Sequence, residues 1–88
     1  MNKNIFTIER YNNYIFYFKH EPELPELLHI YVRHLTNTTD AISTFFLGTV
    51  RWNKKRNRFE TTSNSHCLYW TWLDEKNLKI LIITCFTI

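Results

Sequence analysis

Short β-branched and aromatic runs alternate with polar breaks along most of this chain, and two stretches repeat instead at helical spacing. Asn4-Ile-Phe-Thr-Ile8 and Tyr14-Ile-Phe-Tyr-Phe-Lys19 flank Glu-Arg-Tyr-Asn-Asn. That pattern predicts a β-hairpin turning at Asn12 and Asn13, residues that tolerate a tight turn. Leu24, Leu27, Leu28, Tyr31 and Leu35 then fall at i, i+3, i+4, i+7 and i+11, which predicts an amphipathic helix over Leu24–Leu35. Pro25 suits its first turn, and Glu23 and Glu26 suit the positive end of its dipole. His29, Arg33 and Thr36 fall on the side away from the apolar stripe.

Asn37-Thr-Thr-Asp40 offers N-caps for a second helix, with Ala41, Ile42, Phe45 and Phe46 as its buried face and Gly48, the only glycine, at its end. Beyond Gly48 the pattern is all strand. Thr49–Trp52 and Arg58–Thr62 flank a polar loop, and His66–Leu73 and Leu78–Ile88 flank Asp74-Glu-Lys-Asn77. The last run is apolar on both faces, as a central strand would be. The expected fold is a single α+β domain: an N-terminal β-hairpin, two helices, then a four-stranded antiparallel β-meander packed on the helices. Pairing Leu73 with Leu78 would set Tyr69 opposite Ile82 and Cys67 opposite Thr84. Tyr69, Thr84 and Phe86 would share one face, with Leu68, Trp70, Leu81 and Ile83 on the other.

Composition adds limits. At 88 residues, 44% hydrophobic and 17% aromatic, the chain can build one modest core. No run approaches the roughly 20 apolar residues of a spanning helix. The opening Met-Asn-Lys-Asn-Ile-Phe lacks the form of a signal peptide, and Cys67 and Cys85 sit in apolar strand-like runs. Together these point to a cytosolic protein with reduced thiols. No glycine-rich phosphate loop, paired Cys motif or nucleophile elbow occurs, so neither a metal nor another cofactor is expected; His66, Cys67 and Cys85 lack metal-site spacing.

The net charge of +3 matters only through its clustering. Arg51, Lys54, Lys55, Arg56 and Arg58 are five of eleven basic residues within eight positions, beside Trp52. Such a run is either a nucleic-acid contact or a solvated hairpin tip. His29 and Arg33, one helical turn apart, could serve a phosphate together. The imidazole would move protons near neutral pH and the guanidinium would steady developing charge; exposed helix faces also carry such pairs with no function. His34 reads as a packing or supporting residue. Thr84 interrupts a buried strand with a hydroxyl that needs a partner, and Tyr69 is its expected neighbour; a structural role is the commoner one for such a hydroxyl.

A helix bearing His29-x-x-x-Arg33, a second helix ending Phe45-Phe46-Leu-Gly48 and a meander ending Ile-Ile-Thr84-Cys-Phe together resemble the BECR superfamily of barnase-, EndoU-, colicin- and RelE-like ribonucleases, which includes BrnT-type and phage-borne toxins. The resemblance spans roughly residues 24–88. It implies a metal-independent endoribonuclease with His29 as general base or acid, Arg33 as its cationic partner and Thr84 as the last-strand hydroxyl. Tyr69 would help position the phosphate, and Arg51, Lys54, Lys55, Arg56 and Arg58 would hold the RNA. A toxin of this kind implies an acidic antitoxin or immunity protein. The chain departs from RelE-type toxins in ending Phe-Thr-Ile, without a basic or aromatic set there. That departure keeps open a non-catalytic phage or mobile-element protein that binds nucleic acid or a host or defence protein through the same surface, or one with a purely structural role.

Overall fold

A computed structural model describes residues 5–88; Asn4, expected to begin the first strand, lies outside them. Strands β1 (Phe6–Tyr11) and β2 (Tyr14–Glu21) form the expected hairpin. Its two-residue turn has φ of 49° at Asn12 and 70° at Asn13, a left-handed pair that asparagine accepts more readily than most residues.

The expected helix over Leu24–Leu35 is mostly not a helix. Leu24–Leu28 is a short strand, β3, paired antiparallel with the end of β2, and α1 comprises only His29–His34. Two prolines explain the difference. Pro22 opens a tight turn, and Pro25 disfavours helical backbone at Leu24 while lacking an N–H to donate; an edge strand tolerates this. His20 fixes the turn's far side. Its Nδ1 donates to the Pro25 carbonyl at 2.5 Å, leaving Nε2 to accept from the Thr7 hydroxyl at 2.7 Å. Consequently Leu24, Tyr31 and Leu35 are exposed, Glu23 and Glu26 lie outside any helix, and Ile30 is what α1 buries.

Helix α2 (Thr38–Leu47) forms as the sequence indicates. Asn37 and Asp40 make a capping box, each side chain accepting from the other's backbone N–H at 2.9 and 3.1 Å. Gly48 follows, with an ordinary φ of −84°. Close approach, not a left-handed turn, requires glycine here: a Cβ would lie 2.8 Å from the Thr44 carbonyl oxygen and 2.9 Å from that of Thr62.

β4 (Thr49–Asn53), β5 (Arg58–Thr62), β6 (His66–Asp74) and β7 (Lys79–Thr87) run as an antiparallel meander. The expected α+β layout of a hairpin, two helices and a four-stranded meander packed on them does not hold, however: the fold is mostly β. One seven-stranded mixed sheet contains every strand among the described residues, in the order β1-β2-β7-β6-β5-β4 with β3 on the end of β2. Of the described residues, 56% are strand and 19% helix. The hairpin joins the meander because β7 is apolar on both faces and needs two neighbours. β6 takes one edge, and β2 takes the other in parallel, from Ile15 opposite Lys79 to Phe18 opposite Ile82.

Past Ile82, β2 diverges and α1 fills the gap. The Thr36 hydroxyl donates to the Cys85 carbonyl at 2.8 Å, occupying a strand edge that β2 no longer reaches. Thr36 is therefore buried instead of facing outward. Both helices pack on one side of the sheet, over Phe16, Phe18, Leu68, Trp70, Ile80, Ile82 and Cys85. Phe45 of α2 meets Phe16 and Trp70 edge-on at 5.2 and 5.0 Å. No helix among the described residues is long and apolar enough to cross a membrane.

Candidate functional site

The side of the sheet away from the helices carries a polar row across four strands. Backbone pairing sets Arg51 opposite Glu60, Glu60 opposite Tyr69, and Tyr69 opposite Thr84. Side chains alternate along strands, so when Thr61, Leu68 and Trp70 turn to the core this row turns outward. The expected register was displaced. Leu78 adopts φ 56° and belongs to the turn, and a bulge at Ile83 lets Trp70 face Ile82 while Tyr69 faces Thr84. Tyr69, Thr84 and Phe86 do share a face. Leu81 joins them, opposite Thr71, and Ile82 takes the core position expected of Ile83.

Glu60 anchors the row. Its side chain is 11% exposed, whereas that of Arg51 is 71% exposed. Arg51 Nε donates to Oε1 at 2.9 Å and Asn53 Nδ2 to Oε2 at 3.2 Å. The Arg51 bond, more than any other influence, holds the Glu60 carboxyl below the usual glutamate range, and Glu60 in turn raises the Arg51 pKa. Burial, reinforced by the Glu60 charge, pushes the Tyr69 phenol up, so it stays protonated at neutral pH. The Arg56 guanidinium sits 6.0 Å above the Tyr69 ring, and Phe86 meets that ring edge-on at 5.8 Å. The Thr84 hydroxyl is buried without a partner among the described residues, at a cost of about 1–3 kcal/mol. Tyr17 extends the surface through its pairing with Leu81, and Phe6 touches it at 6.1 Å.

His29 and Arg33 meet elsewhere, at a residue the sequence did not single out. Glu21, 4% exposed, closes β2. It accepts from His29 Nδ1 at 3.2 Å and, bidentate, from Arg33 Nε and Nη2 at 3.1 and 3.3 Å. Its carboxyl is held below the ordinary value of 4.5, chiefly by the Arg33 hydrogen bond, with burial opposing and His29 assisting. The stability this contributes is present above pH 4.5 and lost as pH falls through the depressed native pKa. Urea midpoints measured between about pH 5 and pH 3 are therefore expected to fall in the wild-type chain and to fall less steeply in Glu21→Gln.

The candidate residues thus form two sets. Tyr69, Thr84, Arg51 and Arg56 share the helix-free face, whereas His29 and Arg33 cluster at Glu21. Among the described residues no hydrogen bond joins the sets; His34 meets Phe86 at 5.6 Å, and Phe86 meets Tyr69. Lys54 and Lys55 are exposed in the β4–β5 turn, and half-buried Arg58 donates from Nε to the Arg56 carbonyl at 3.1 Å. Cys67 and Cys85 are buried free thiols on opposite faces, the latter pushed up to about 12 by burial. Among the described residues, no three His, Cys, Asp or Glu side chains gather as a metal site. Two hollows of about 390 Å³ flank α2, and neither is lined by the row or by the Glu21 cluster.

Glu60 and Asn53 also escaped the sequence reading. Their signal was available, since the one acid of a strand, placed symmetrically with Arg51 about the Lys-Lys-Arg turn, suggests a cross-strand pair. No family model matches the chain, and no curated protein or solved structure matches it either. The BECR resemblance accordingly rests on the sequence motifs alone.

Proposed function

We propose that this protein binds single-stranded RNA across the helix-free face of its sheet. One observation carries the reading: a sheet face that α2 leaves open, and that α1 reaches only at its margin where His34 meets Phe86, presents Tyr17, Tyr69 and Phe86 and is bordered by Arg51, Lys54, Lys55, Arg56 and Arg58. Partly exposed aromatic rings on a strand surface offer stacking platforms for unpaired bases, and the basic turn beside them supplies the phosphate contacts. A cytoplasmic setting belongs to the same reading, supported by two free thiols.

The test is a titration with fluorescent oligouridine from about 50 to 200 mM salt. Affinity is expected to fall with salt. Replacing Lys54, Lys55 and Arg56 by alanine is expected to weaken binding roughly tenfold or more and to reduce the log–log salt slope by about 2, near 0.7 per lost phosphate contact. Salt-independent binding, or none, contradicts the reading.

A second reading, a metal-independent endoribonuclease, is favoured by the Glu21–His29 bond. A carboxylate accepts only, so it fixes the proton on Nδ1 and leaves Nε2 free in a ring whose side chain is 31% exposed. His29 Nε2 would take the 2′-hydroxyl proton as that oxygen attacks phosphorus. The departing 5′-oxygen would take a proton from water, leaving a 2′,3′-cyclic phosphate, and His29 would then return its proton to solvent, while the outer edge of Arg33 steadied the phosphate. Tyr69 and Thr84 would then bind RNA away from the reacting atoms, and an acidic antitoxin or immunity protein would be the natural partner. Cleavage in EDTA that is abolished by His29→Ala supports this reading; intact RNA removes it and leaves RNA binding in place.

A further inference from the structure

We infer that the open face selects guanine, with Arg51 reading the base that stacks on Tyr69. This rests on the RNA-binding reading and adds the identity of the base to it.

Three features of the row carry the inference. First, Arg51 is held and yet available. Its Nε is bound to Glu60 Oε1 at 2.9 Å, its side chain is 71% exposed, and neither Nη atom has a hydrogen-bond partner among the described residues. A planar guanidinium anchored at Nε directs its two Nη groups outward as a pair of parallel donors. Second, the anchor is itself fixed. Glu60 is buried and accepts from Asn53 Nδ2 at 3.2 Å, and the Asn53 side-chain oxygen accepts from the Arg56 backbone N–H at 3.0 Å. The turn that carries the phosphate-binding residues and the carboxylate that aims Arg51 therefore form one hydrogen-bonded unit. Third, Tyr69 lies directly across from Glu60. Adjacent strands are about 4.8 Å apart, so a guanidinium leaning over Glu60 is within a base's width of the ring. Arg56 lies 6.0 Å from the centroid of the Tyr69 ring, in an exposed turn from which it would swing outward to cover a base stacked there.

Paired donors choose among bases by acceptor geometry. Guanine presents O6 and N7 side by side. Adenine replaces O6 with an amino donor that opposes the guanidinium, and the pyrimidines have no equivalent of N7. Lysine at this position would supply a point charge without the fork.

The experiment compares the full chain's affinity for four short oligouridines: unmodified, or carrying one central guanosine, 7-deazaguanosine or adenosine. Guanosine is expected to tighten binding by about 5- to 100-fold. 7-Deazaguanosine, which lacks the N7 acceptor, and adenosine are expected to remove most of that gain. In Arg51→Lys and Arg51→Gln the ratio of guanosine-bearing to unmodified affinity should approach one, whatever the overall affinity becomes. The modified nucleotide makes the test independent of any folding defect in the variants. Equal binding of all four oligonucleotides overturns guanine selection and leaves RNA binding standing. Failure to bind any of them overturns both.

Discussion

Replacing Phe16 by alanine is expected to lower the unfolding free energy by about 3–5 kcal/mol, read from urea denaturation. Phe16 is fully buried in β2, opposite Ile80 of β7 and edge-on to Phe45 of α2. Removing its ring leaves a void bounded by the parallel strand pair on one side and a helix on the other, elements that a cavity cannot readily draw together. The size of the effect discriminates between architectures. Were the N-terminal hairpin a separate appendage, a truncation within it would be tolerated with a loss nearer 1 kcal/mol. In a seven-stranded sheet, β2 is interior and the loss is a large share of the roughly 5–15 kcal/mol that holds a small domain together.

Tyr69→Ala is expected to weaken oligouridine binding by about 5- to 100-fold while leaving far-ultraviolet circular dichroism unchanged, since one stacked base is worth roughly 1–3 kcal/mol. Tyr69 stands where the row crosses the middle of the sheet, between Glu60 and Thr84 and under Arg56. Tyr31 is the natural control. It is 47% exposed on α1, belongs to neither candidate set, and Tyr31→Ala is expected to leave affinity within twofold or so. Equal losses in the two variants would mean that aromatic content, not the sheet face, governs binding.

What the sequence made legible follows from how local each determinant is. The Asn12-Asn13 turn, the N-cap within Asn37–Asp40 and the meander strands depend on neighbours a few positions apart, and all appear near their expected places. The first helix failed because a leucine spacing that fits a helix also fits a strand followed by one helical turn. Pro22 and Pro25 decided between them, together with pairing to the end of β2. Placement of the hairpin beside β7 is a contact some sixty residues apart, and nothing in either segment alone specifies a parallel partner.

The candidate site shows the same division. The faces of Tyr69, Thr84 and Phe86 followed from alternation, but a bulge at Ile83 moved Leu81 to their side. The cluster of basic residues was visible, yet the acid that organises Arg51 lies across a hairpin, and Glu21, which gathers His29 and Arg33, lies across a sheet-to-helix junction. His29 and Arg33 are thus held by Glu21, while the Thr84 hydroxyl bonds to neither of them.

Mapping oligouridine onto the protein by backbone amide chemical shifts tests the central claim most directly. The account predicts saturable shifts concentrated at Tyr17, Arg51, Tyr69, Thr84 and Phe86 and in the Lys54–Arg58 turn, with Ala41 and Phe45 of α2 unmoved. Shifts confined to the helices, or spectra that do not change as RNA is added, would contradict it.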